Sequence, residues 1–169
     1  MGQESGTYMS RVLRSVVVLA LLLVFLDVGS VHAGGSCYRY SKKDRLLAKK
    51  TNTTRANAGV RRLSLDPHLS RVAKRQARTM ARKATLYHTP SLGSLVTRWR
   101  TLGENVGYAS SVKAVHRAYM GSPAHKANIL KSAYRHLGVG VKKKGGYVWT
   151  AVVFESRRNP GTTLSMPSC

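Results

Sequence analysis

The stretch from Leu137 to Phe154 restricts this chain to a narrow set of folds. Leu137 to Lys142 (LGVGVK) alternates with the two-residue period of a strand. Gly145-Gly146 is a hairpin turn. Tyr147 to Phe154 (YVWTAVVF) is β-branched and aromatic and reads as the returning strand. Everything upstream of this pair reads as helix or loop. Helices first, a loop-rich centre and then an antiparallel pair is the order of an α+β domain; a doubly wound α/β fold would alternate strands with helices.

Lys42 to Asn57 carries Leu46, Leu47 and Ala48 among basic residues and stops at Gly59, which predicts a first helix. Val60 to Leu65 is a short link with Leu63 and Leu65 facing one way. Asp66-Pro67 opens a second helix, with Asp as N-cap and Pro at the first helical position. Its apolar stripe, Leu69, Val72, Ala73, Gln76, Ala77 and Met80, recurs at three and four out to about Lys83. Thr85 to Pro90 is a loop bearing His88. Leu92 to Arg100 is expected as a short helix, and Leu102 to Tyr108 as a loop. Ser110-Ser111 offers a cap for a helix over Val112 to Met120. Gly121-Ser122-Pro123 ends that helix and starts another helical turn bearing His125.

Residues 1–33 read as a secretory signal. Arg11 and Arg14 supply the positive region, Val16 to Leu26 the apolar run, and Val31-His32-Ala33 the small residues before a cleavage site. The run is shorter than the roughly 20 apolar residues of a spanning helix. Cleavage after Ala33 leaves 34–42 as a leader, 43–158 as the domain and 159–169 as a Pro/Gly/Thr/Ser tail. The expected location is extracellular, and the expected state is a monomer. Cys37 and Cys169 would sit in an oxidising compartment, where one internal bridge tying the termini is expected; free or intermolecular thiols are the alternative.

Charge narrows the partners. The chain has 29 Lys+Arg against 6 Asp+Glu and a formal net charge of +23. Neutralising nucleic-acid phosphates would suit this charge, but export argues against that partner. Anionic envelope polymers or lipid headgroups suit an exported cationic protein better. Solubility alone is the competing account.

Three residues in the centre stand out against this basic background: His88, Glu104 and His125. Two imidazoles and one carboxylate suit Zn²⁺ or a similar divalent ion, and three protein ligands would leave a position open for water. The competing account is a polar cluster in which the histidines bond Glu104 and tie loops together. No Ser or Cys has the setting of a nucleophile, and Ser122 reads as a helix cap. His68 and His116 are expected on solvated helix faces and His136 in a structural role. Asn105 and Asn128 are expected to bond backbone groups and bridge loops. Tyr147 and Trp149 read as core, and Glu155 as an ion-pair partner of Arg157 or Arg158.

Several of these segments, taken in order, resemble a known family. They are Asn52 to Gly59, Leu63 to Leu69 (LSLDPHL), His88, Gly103-Glu104-Asn105-Val106, Ser122 to Leu130 (SPAHKANIL), Tyr134 to Gly140 (YRHLGVG) and Tyr147-Val148-Trp149-Thr150. Together they cover most of Lys43 to Glu155 and resemble the CAP superfamily of cysteine-rich secretory, antigen-five and pathogenesis-related proteins, in its bacterial secreted SCP-domain branch. The resemblance implies an α-β-α sandwich, with a small antiparallel sheet and helices on both faces. It also implies a central cleft that in many members holds two histidines and two glutamates and can take a divalent metal. His88, Glu104 and His125 match three of those positions, and Ser122 stands where the second glutamate falls. Family members include binders of lipids or sterols. The function expected here is therefore binding in the extracellular space or cell envelope, through the cleft and the cationic surface, with a small lipid among the candidate ligands. A metal-assisted hydrolase of peptide or cell-wall bonds is the rival. A cationic membrane- or polymer-binding protein with an incidental cleft is the third account.

Overall fold

Both faces of the hairpin are apolar, and this sets the layering. The computed structural model describes residues 38–167. The expected signal at 1–33, residues 34–37 of the leader and the cysteine pair lie outside the described residues. In chain order the elements are α1 (Lys42–Asn57), β1 (Ser64–Leu65), α2 (Pro67–Lys83), α3 (Leu92–Leu95), β2 (Val96–Thr97), β3 (Leu102–Ala109), α4 (Val112–Gly121), α5 (Pro123–Leu130), β4 (His136–Lys144), β5 (Tyr147–Glu155) and β6 (Gly161–Thr162).

β4 and β5 are joined by Gly145 (φ 58°) and Gly146 (φ 77°), both left-handed, as a two-residue primed turn requires. Along β5, Val148, Val152 and Phe154 enter one core, and Trp149, Ala151 and Val153 enter another. Leu47 of α1, Val112, Val115 and Tyr119 of α4 and Ile129 of α5 close the first core. Leu69, Val72, Ala73, Met80 and Ala81 of α2 close the second. The result is the expected α-β-α sandwich.

The sheet has the order β1-β4-β5-β3. It is mixed rather than wholly antiparallel, because the link 60–65 contributes Ser64 and Leu65 as a strand parallel to β4. α2 lies tight on β4. A Cβ at Gly138 would sit 2.1 Å from the Leu69 carbonyl carbon, and one at Gly140 would sit 2.3 Å from that of Ala73. The two glycines lie two apart on the strand and their contacts four apart on the helix, so each period presents one face to the other.

β1 is short, so the outer edge of β4 runs on past it. Side chains of the helices take over there: Ser70 Oγ accepts the Val139 N–H at 3.1 Å and Asp44 Oδ1 accepts that of Val141 at 2.9 Å. Asp44 also completes a capping box at the start of α1, with Ser41 as N-cap. It meets the Lys74 ammonium at 2.8 Å as well. Asp66 caps α2 through the Leu69 N–H at 2.9 Å, as the Asp-Pro signal predicts.

Several expectations change. The stretch expected as a loop at 102–108 is β3, an edge strand paired antiparallel to β5 along its whole length. The helix expected over 92–100 is one turn, followed by β2. β2 pairs with β6, so part of the tail is bound to the domain. Tyr147 is 48 % exposed rather than core. Glu155 is fully buried and, among the described residues, makes no ion pair. Its carboxylate accepts the backbone N–H groups of Arg157 and Arg100, while the Arg157 and Arg158 side chains point to solvent. His68 and His116 are half-buried rather than solvated, and His116 Nε2 lies 3.2 Å from Thr54 Oγ1, linking α4 to α1.

Candidate functional site

The cleft forms around β3 because that strand is an edge. Successive side chains of a strand leave by opposite faces, so Glu104 emerges on the α2 side and Asn105 on the α4/α5 side. At an edge, elements on both faces can meet. The loop after α2 brings His88 to Glu104 from one side, and α5 carries His125 to β3 from the other.

Glu104 is almost wholly buried and both of its carboxylate oxygens accept hydrogen bonds. Oε2 accepts from His88 Nδ1 at 2.8 Å and from the Thr89 N–H at 2.8 Å, and Oε1 accepts from the Thr89 hydroxyl. A carboxylate held on Nδ1 orients the imidazole and leaves Nε2 as the free nitrogen of an exposed ring. Thr89 is a site residue that sequence reasoning missed; its only signal was adjacency to His88.

Asn105 and Asn128 stitch α5 to the strand, as expected. Asn105 Nδ2 donates to the His125 carbonyl at 2.9 Å, and Asn128 Nδ2 donates to the Glu104 carbonyl at 3.2 Å and to Asn105 Oδ1 at 3.0 Å. Gly103 makes this seam possible, since a Cβ there would lie 2.2 Å from Tyr134 Oη and 3.0 Å from Asn128 Oδ1.

His125 packs against Tyr119, ring centroids 5.1 Å apart and tilted 55°. Burial pushes its pKa down, and the neighbouring His88 imidazole pushes the same way. Tyr119 is buried. Its hydroxyl lies 2.7 Å from Thr150 Oγ1 and donates to the Asn105 carbonyl at 3.3 Å. Burial raises its pKa well above the usual phenol value, so it stays neutral. Beside these rings an apolar groove of about 260 Å³ is lined by Leu86, Val106, Tyr108, Ala118, Tyr119 and His125. Leu86 and Tyr108 are 45 % and 48 % exposed at its mouth. No periodicity announced this groove, because its walls come from three separate elements and a loop.

The structure thus joins His88 to Glu104 and sets His125 beside His88. Among the described residues, no three His, Cys, Asp or Glu side chains are grouped to hold a metal ion. Both Glu104 oxygens face His88 and Thr89. Ser122 takes the N-cap position of α5 but makes no side-chain capping bond. His136 opens β4, and β5 separates that strand from β3.

Comparison with known proteins agrees with this anatomy. The family model described as "CAP: Cysteine-rich secretory protein family" matches residues 48–154. The protein YkwD of Bacillus subtilis (strain 168) is 31 % identical over 127 residues, a match covering 70 % of this chain and 48 % of YkwD. The chain therefore spans about half the length of that relative. An outer surface protein from Borrelia burgdorferi is similar in fold, with a TM-score of 0.60 and 21 % identity over 71 % of this chain and 97 % of its own. So is an extracellular protein containing a SCP domain from Bacillus anthracis str. Ames, with a TM-score of 0.60 and 22 % identity over 68 % of this chain and 40 % of that one. With the sandwich, the glycine-lined strand against α2 and the His/Glu cleft at the β3 edge in place, this chain belongs to the cysteine-rich secretory protein (CAP) family.

Proposed function

We propose that this protein is secreted and acts as a monomeric binding protein in the extracellular space or cell envelope. It takes a small lipid or another ligand with an apolar portion in the groove beside His125. The observation that carries this reading is the state of Glu104. Its hydrogen bonds to His88 and Thr89 occupy both oxygens, so it positions a wall of the cleft instead of offering a free base. The adjoining groove is apolar, and pockets of that character with one or two polar groups favour binding. The strongly positive surface would draw the protein to anionic polymers or headgroups. The two structural neighbours, an outer surface protein and an extracellular protein, support an external location.

Titration with a fluorescent fatty-acid analogue tests the cleft. Saturable binding by the wild type, weakened at least ten-fold by Tyr108→Asp, is expected. No saturable binding, or binding indifferent to Tyr108→Asp, overturns the assignment. Export is tested by the N-terminus of the secreted protein, expected at Gly34.

A divalent ion is the second reading, favoured by the orientation of His88. Its donors would be His88 Nε2 and His125, with Glu104 behind His88 rather than on the metal. Stoichiometric zinc lost in both His88→Ala and His125→Ala would support it. A melting temperature indifferent to added Zn²⁺ would sink it. Hydrolysis would require turnover that Glu104→Gln abolishes with the fold intact.

A further inference from the structure

Arg71, Arg75, Arg78 and Arg82 recur at intervals of four, three and four along α2, so they form one stripe of the helix. The same helix buries Leu69, Val72, Ala73, Ala77 and Met80 on its other side, which holds the guanidiniums outward. At 1.5 Å rise per residue the row runs about 16 Å. It forms one wall of a groove of about 470 Å³, whose other wall is Leu164 and Ser165. Both ends of the row are held: Arg71 Nε donates to the Ser165 carbonyl at 3.0 Å, and the Arg82 guanidinium donates to Thr79 Oγ1 at 3.1 Å.

Among the described residues, none of the four meets a carboxylate. Among the described residues, Asp44 serves Lys74, Asp66 caps α2, Glu104 holds His88 and Glu155 is buried. Like charges three and four residues apart on a helix repel, and a bound anionic chain would relieve that repulsion. The residue type carries information as well. The hairpin presents lysines at 142–144, whereas this stripe is arginine at every position. A guanidinium grips a phosphate with two parallel N–H bonds, which an ammonium does not.

We propose that this groove binds a linear polymer bearing phosphate groups, one phosphate to each guanidinium. The second wall favours a chain lying along the groove over a bilayer, whose flat surface would meet Leu164 and Ser165 as well. The proposal rests on the cationic-surface part of the function above and gives it a place and a chemistry.

Long-chain inorganic polyphosphate, titrated against the full chain over a range of salt, is the test. Arg75 and Arg78 are exposed and can be changed without disturbing the core. Arg75→Gln/Arg78→Gln is expected to raise Kd at least ten-fold. It should also flatten the slope of log Kd on log salt by about 1.4, since each phosphate contact on a single strand contributes roughly 0.7. Lys142→Gln/Lys143→Gln removes the same charge and is expected to change Kd less than three-fold, with an unshifted melting curve in both variants. Equal weakening by the two pairs overturns the proposal in favour of diffuse charge. Tighter binding of phosphatidylglycerol vesicles than of polyphosphate, lost with the arginines, overturns it in favour of a bilayer. Failure with polyphosphate while salt-sensitive vesicle binding persists removes the groove and leaves the cationic reading; failure with both removes both.

Discussion

Replacing Asp44 by alanine should cost this domain a large part of its stability. The carboxylate is fully buried and accepts from Ser41 N–H at 2.9 Å, Ser41 Oγ at 2.7 Å, Lys74 Nζ at 3.0 and 2.8 Å and Val141 N–H at 2.9 Å. It therefore joins the start of α1, the middle of α2 and the open edge of β4. After Asp44→Ala the Lys74 ammonium keeps only the Val141 carbonyl at 3.0 Å. Stripping one partner from a buried ion pair costs about 3–5 kcal/mol. Lys74 is 15 % exposed and can swing partly into water, which favours the lower end. The orphaned Val141 N–H adds about 1–3 kcal/mol, partly overlapping the first cost. A loss of about 4 kcal/mol follows, against a total of roughly 5–15 kcal/mol for a domain. Urea unfolding would register it as a midpoint lower by about 2 M, for a slope near 2 kcal/mol/M. The second change Lys74→Met should recover much of the loss by removing the stranded charge. A loss below about 1 kcal/mol for Asp44→Ala, or no recovery in the double variant, would refute the reasoning.

Three other changes probe the frame. Gly140→Ala drives a methyl into the α2 backbone at Ala73 and should cost about 3 kcal/mol or prevent folding; a normal urea midpoint would show that helix and strand separate easily. Arg55 is fully buried and donates to the carbonyls of Arg61 (2.7 Å), Ile129 (2.7 Å) and Lys131 (2.9 Å), so Arg55→Met should cost about 2–4 kcal/mol by stripping the end of α5, measured as loss of exchange protection around 128–131. Burial lowers the pKa of His116 and of His125, with Lys50 and His88 respectively adding to the effect. The unfolded chain then binds more protons than the folded one just below the ordinary imidazole value of 6.5, so stability holds above that pH and falls as pH drops through it towards the lowered values. His116→Gln should flatten part of that fall in midpoints taken between about pH 7.5 and pH 5; identical curves for variant and wild type would remove burial as the cause.

Local chemistry explains which elements were legible. α1 was readable from Leu46, Leu47 and Ala48 and the Gly59 stop, and α2 from Asp66-Pro67 at its start and the apolar stripe that follows. The hairpin was readable because Gly145-Gly146 separates two runs with strand chemistry. β3 was not, because Gly103, Glu104, Asn105 and Gly107 break the apolar alternation. Each is there for a tertiary reason: space for Tyr134, a bond to His88, a bond to α5, space for the Tyr119 ring. β2 and β6 are two-residue strands that exist only as each other's partner. Glu155 looked like a surface ion pair because sequence shows the nearby arginines but not that the carboxylate at the end of β5 is buried on the backbone N–H groups of Arg100 and Arg157.

The sequence by itself determined the extents of α1 and α2, the hairpin, the α+β class and the candidates His88, Glu104 and His125, all of which depend on residue type and short-range spacing. Tertiary structure decided how those candidates are used. It placed β3 at the sheet edge, so that groups from both faces meet there. It also supplied Thr89 to occupy the carboxylate, and an apolar groove whose walls are distant in sequence. Hydrogen-bond partners and groove shape depend on through-space neighbours, which the order of residues along a chain does not specify.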